Sequence, residues 1–168
     1  STTEASPETG RRHALWAQWI ANREPWLAFR EELGRKLPAH VIGETYSSHD
    51  GGPRCIIYSP GGLPTQLPDW TVVGCLSLLA PVYFVYGVKR DHRLEGGVRR
   101  NKISFEPPPP HMSLPARIIA QTIETSFGVS AIPRVVAETP VHLFTGNLEP
   151  PETTLFHTLF TDEPETIP

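Results

Sequence analysis

Acid–base and metal chemistry would fall first to the histidines, which stand at positions 13, 40, 49, 92, 111, 142 and 157. They are dispersed, and neither an HExxH pattern nor a paired CxxC occurs, so no local run supplies a ligand set. His142, His157 and Asp162 form a metal arrangement only if the last two elements of the chain pack together. His49 beside Asp50 in a Gly-rich turn is the other local candidate, although adjacency alone does not orient a general base. Cys55 and Cys75 lie in runs expected to be buried, where a thiol is inert packing material and not a nucleophile. Reduced thiols are therefore expected in preference to a disulfide. Asp69, Asp91 and Glu95, with Lys89 nearby, give the one acidic set on which a metal-dependent nuclease can be imagined, with carboxylates on a hard cation and a base facing phosphate. No compact acidic-lysine motif accompanies them, no phosphate-binding glycine pattern occurs, and Ser59 is not in a nucleophile elbow. No catalytic residue, cofactor or metal is assigned.

Charge is more informative. The formal net charge of −3 hides two opposed regions. In residues 89 to 102, six Lys or Arg against Asp91 and Glu95 leave +4, whereas in residues 103 to 168 eight Asp or Glu against Arg117 and Arg134 leave −6. Opposed patches can orient an asymmetric protein partner. Arg99, Arg100 and Lys102 are the expected contacts for an acidic partner, and Glu149, Glu152 and Asp162 those for a basic one. Charged residues on an edge strand also block sheet-to-sheet association, which accounts for the basic cluster without any ligand. Nucleic acid would need positive charge more tightly clustered in space, and is not favoured.

These groups must be held by an apolar centre. Residues 71 to 88, TVVGCLSLLAPVYFVYGV, carry no charge, and the length is at the lower edge of a bilayer span. Gly74 and Pro81 divide the run and its β-branched and aromatic residues favour extended backbone, predicting two buried strands near 71 to 78 and 81 to 89 and no membrane span. Ahead of it, Leu15, Trp16, Trp19, Ile20, Trp26, Leu27 and Leu33 recur at helical spacing. A helix should begin between Glu8 and Arg12, and a second near Asn22 with Pro25 in its first turn. Strands are expected at 40 to 47 and 54 to 58, joined by the turn SHDGGP, and a hairpin is expected across Gly96 and Gly97. Nineteen prolines, four of them consecutive at 107 to 110, imply stiff connections. A further helix, capped by Ser113 and starting at Leu114 or Pro115, should stop at Gly128. A strand is weakly indicated over 130 to 138 and more strongly over 141 to 145, while 153 to 160 suits a strand or a short helix.

The expectation is an α+β fold with a single mixed or mainly antiparallel β-sheet, an N-terminal helical region and a second flanking helix. Residues 1 to 9 are read as a flexible arm, 10 to 160 as a single domain, and 161 to 168 as an exposed tail. The chain has the organisation of a soluble, cytoplasmic, non-enzymatic protein-interaction module that binds another protein. Toxin neutralisation, as a bacterial immunity protein or antitoxin, is its specific case. A metal-dependent nuclease or other hydrolase is the first alternative, and a structural subunit of an oligomer the second.

Overall fold

The computed structural model describes residues 6–60, 69–90 and 101–168, and its elements form an α+β fold. Helix α1 (Pro7–Ala21) starts where Ser6 accepts a hydrogen bond from the Thr9 amide at 3.2 Å and Pro7 takes the first turn, where its missing N–H costs nothing. Pro7, Glu8 and Thr9 of the arm expected over residues 1 to 9 are therefore helical, and residues 1 to 5 of it lie outside the described residues. Helix α2 (Glu24–Lys36) follows, again with its proline in the first turn. Strands β1 (Ile42–Thr45), β2 (Arg54–Tyr58), β3 (Asp69–Leu76), β4 (Val82–Arg90) and β5 (Asn101–Ser104) form an antiparallel sheet in sequence order. β6 (Ser130–Ala131) adds a short parallel pairing to β4 at Val82 and Tyr83, beyond the stretch that β5 occupies. The apolar centre is thus two adjacent strands, in register from Asp69 opposite Arg90 to Leu76 opposite Tyr83. The hairpin expected over 86 to 105 has its two flanking strands paired, and its Gly96–Gly97 turn lies outside the described residues.

Alternation along the strands sorts their side chains to two faces. Cys55, Ile57, Val72, Leu76 and Tyr83 face α2 and helix α3 (Pro110–Phe127), and pack with Trp26, Phe29, Leu33, Met112, Ile119 and Ile123. The approach is close at Gly74, where a Cβ would stand 2.7 Å from Ile119 Cδ1. Helix α3 begins at Pro110, four residues before the expected start, since the last proline of the run suits a first turn; Pro115 then falls inside the helix, where it cannot donate to the His111 carbonyl. It ends at Gly128 in the left-handed region, φ 63°.

On the opposite face Ile56, Val73, Cys75, Phe84, Tyr86 and Val88 are covered by Ile132, Ala137, Phe156 and Phe160. This second layer is built from helix α4 (Arg134–Ala137), helix α5 (Leu155–Leu159) and irregular chain. Two expectations give way here. Pro133 cuts the strand at 130 to 138 down to β6 and opens α4, and residues 141 to 145 are not a strand but a loop, because Leu143 and Phe144 face solvent and find no sheet edge. The tail expected to be exposed from residue 161 runs along the sheet, with Glu163, Glu165, Thr166 and Pro168 exposed as expected and other residues held against the body. Thr161 and Pro164 are buried, Tyr86 donates to the Pro164 carbonyl at 2.7 Å, Tyr58 to that of Pro168 at 2.8 Å, and Asn101 to that of Glu165 at 3.1 Å. Among the described residues no helix is long and apolar enough to cross a membrane.

Candidate functional site

A cavity of about 1030 Å³ opens between the start of α1, the turn before β2, the loop at 143 to 147, α5 and the C-terminal strap. Its position follows from local packing. Trp16 of α1 donates to the Asp50 carbonyl at 2.9 Å, and the Gly51 amide donates to the Phe160 carbonyl at 2.7 Å, so helix, turn and C-terminal layer are tied around a common rim. Gly51 and Gly52 permit this, since a Cβ on Gly51 would lie 2.2 Å from the Leu159 carbonyl oxygen and one on Gly52 1.7 Å from that of Leu76.

Arg54, the first residue of β2, lines the cavity and is only 5% exposed. Its Nη1 donates to the Tyr86 hydroxyl at 3.2 Å, and Tyr86 directs its own proton to the Pro164 carbonyl. Nη2 stands 3.9 Å from Asp50 Oδ2, which is an ion pair without a hydrogen bond, and the buried Nε has no partner. Burial works against the Arg54 charge, but the surrounding Tyr86, Cys75 and Asp50 outweigh it and hold the group above its usual range. Burial also raises the Asp50 carboxyl, against the opposing pull of its Thr161 hydrogen bond and Arg54.

His157 and Asp162 occupy the other wall. The His157 Nδ1 accepts from the Thr154 amide at 3.0 Å, which leaves the ring proton on Nε2, and burial lowers its pKa. Burial presses the Asp162 carboxyl upward, yet hydrogen bonds from Thr145 and Asn147 prevail and hold it below the ordinary value. The Asn147 amide donates to Asp162 Oδ2 at 3.1 Å, and so fixes the 143 to 147 loop to the strap.

The residues anticipated from sequence are distributed unevenly. Glu149 and Glu152 are both exposed on one turn, closed by the Glu152 amide donating to the Glu149 carbonyl at 2.9 Å. Asp162 does not join them on the surface but turns into the cavity, because the Asn147 amide and Thr145 hydroxyl outcompete water for it. Lys102 is exposed on β5 opposite Lys89, and Arg99 and Arg100 lie outside the described residues. Of the proposed metal set, His157 and Asp162 share the cavity while His142 is not on its wall. Among the described residues no group of three or more His, Cys, Asp or Glu is arranged to hold a metal ion. For the nuclease set, Asp69 lies opposite Arg90 at the end of the β3–β4 ladder, and Asp91 and Glu95 lie outside the described residues. Cys55 and Cys75 are free and buried on opposite faces of the sheet, and burial pushes each thiol up to about 12, which excludes a thiolate near neutral pH.

Sequence reasoning passed over Arg54, Arg12 and the pair Leu143–Phe144. A signal for Arg54 existed: in RCIIY strict alternation sets it on the face of Ile56 and Tyr58, an inward position for a charge. Leu143 and Phe144 suit a strand interior by composition, whereas they are 53% and 76% exposed. No protein-family model, curated protein or solved structure matches this chain.

Proposed function

We propose that this chain is a non-enzymatic module that binds another protein, with toxin neutralisation in the cytoplasm as its specific case. The observation that carries the reading is Phe144, a phenyl ring 76% exposed on a loop that is nevertheless fixed. The Thr145 amide donates to the Leu148 carbonyl at 2.9 Å and the Asn147 amide to Asp162, so the ring is presented on ordered backbone. Exposing Leu143 and Phe144 side by side has a solvation cost that a partner's apolar pocket would relieve. Glu149 and Glu152, a few residues on, supply the charge that steers a basic rim onto the same surface. The partner is therefore a protein with an apolar pocket bordered by Lys or Arg. Arg99, Arg100 and Lys102 are the contacts proposed for an acidic partner.

The test is capture of partners with the intact chain, followed by quantitative binding. Phe144→Ala should weaken the purified complex by about tenfold or more through faster dissociation, as for a central aromatic anchor. The double reversal Glu149→Lys with Glu152→Lys should slow association and flatten its salt dependence. A complex indifferent to both changes, or no stable protein partner at all, overturns the reading.

A further inference from the structure

The cavity beneath the Phe144 loop contains a feature that the protein-binding reading does not use. Arg54 is buried on its floor with no carboxylate in hydrogen-bonding contact. Asp50, its nearest counter-charge, is held at 3.9 Å and hydrogen-bonded to Thr161. A guanidinium removed from water is stable only when a good acceptor replaces the solvent it lost, and planar two-oxygen anions match its donor fork best. Arg12 stands half-buried on the α1 wall of the same cavity. The cavity volume is at the upper end of small-ligand sites, and its mostly apolar lining carries a few polar side chains such as Thr158 and Asn147, as such sites do.

We propose that this cavity binds a small molecule bearing a carboxylate or phosphate group, with that group seated on Arg54 and Arg12. The opposing charges on the wall are Glu8, Asp50, Asp162 and Glu163. Asp50 and Asp162 already accept hydrogen bonds from Thr161 and from Asn147 and Thr145, whereas Glu8 and Glu163 are exposed at the rim. The rim carboxylates therefore raise an electrostatic barrier to entry that favours a compact anion and repels a highly charged one. Leu143 and Phe144 also stand at the wall of this cavity, so a protein seated on Phe144 would cover its opening; titration of the chain alone keeps a failure of the ligand site distinguishable from a failure of the protein-binding reading.

Calorimetric titration of the whole chain with inorganic phosphate, acetate and a nucleoside monophosphate distinguishes the phosphate and carboxylate sources. At least one should bind saturably in the micromolar to millimolar range. Arg12→Gln, a half-exposed position that leaves the core intact, should weaken that ligand by about tenfold. Arg54→Gln should abolish binding, with circular dichroism used to confirm its fold. Glu8→Gln and Glu163→Gln should each tighten binding severalfold, a response that a purely structural effect would not produce. No saturable binding of any of the three probes up to about 10 mM overturns the proposal. Binding that ignores Arg12→Gln and both rim changes overturns it equally.

Discussion

Gly52 and Gly74 mark two close approaches of different kinds, and they respond differently to an added methyl. At Gly74 the obstacle is the mobile end of Ile119, whereas at Gly52 it is the Leu76 carbonyl, part of the sheet itself. Gly74→Ala should cost about 1–3 kcal/mol, typical of a forced methylene in a packed core. Gly52→Ala should cost more than Gly74→Ala, because backbone must move, and urea unfolding ranks the two directly. Gly10 is the contrast: it lies in α1 with nothing within 4 Å of the place a methyl would take, so Gly10→Ala should stabilise by about 0.5–1 kcal/mol. Tyr86 shows the same locality for polar groups. Its hydroxyl accepts from Arg54 and donates to the Pro164 carbonyl, so Tyr86→Phe leaves two buried groups unsatisfied and should cost about 1–3 kcal/mol in the same assay.

At the scale of elements, α5 shows how a helix too short to be stable alone is held by what it buries. Phe156 is fully buried and meets Phe84, Tyr86, Phe105 and Phe160 with ring centroids 5.0–5.6 Å apart. Phe156→Ala should cost about 3–5 kcal/mol and erase much of the near-ultraviolet dichroism. The His157 imidazole that accepts from the start of α5 is held below its ordinary 6.5, chiefly by burial against the opposing pull of Asp162 and Glu165. The unfolded chain then takes up the proton first on acidification. This contribution to stability is complete above about pH 6.5 and is lost as pH falls toward the folded-state value. His40 is lowered by burial in the same direction. Replacing His157 by Asn should therefore reduce, without removing, the fall in urea midpoint between about pH 7.5 and about pH 5. The helical layer and strands β1 to β4 were legible in the sequence because periodicity, caps and proline position agree there, as at Pro25 and Gly128. The C-terminal layer was not, because Phe156 and Phe160 suit helix or strand equally and only contact with Phe84 and Tyr86 decides. The site was less legible still. Arg54 and Asp162 are about a hundred residues apart in the chain, and their shared cavity depends on the strap, whose anchors are backbone carbonyls that any sequence possesses.

Over the whole molecule, one sheet serves as the inner wall of two cores. Trp16, Trp19, Trp26 and Trp70 all lie on the helical side or at its edge, joined by ring contacts such as Trp19 to Trp26 at 5.7 Å. The two thiols lie one in each core: Cys55 beneath the helices, Cys75 beneath the C-terminal layer, with Arg54 opposite Cys75 and Cys55 opposite Gly74 in the same strand pair. Each thiol is therefore a reporter for its own layer. If the layers separated independently, loss of the irregular C-terminal layer would expose Cys75 while Cys55 stayed protected. The pairing argues against such separation, because β2 and β3 each carry side chains into both cores and cannot bare one face without weakening the ladder that supports the other. Single-thiol proteins made by Cys55→Ala and by Cys75→Ala should become reactive toward a thiol reagent at the urea concentration where their own tryptophan fluorescence changes. A Cys75 that reacts at clearly lower urea than the fluorescence midpoint would show instead that the C-terminal layer, with the cavity and the Phe144 loop it carries, opens as a separate unit.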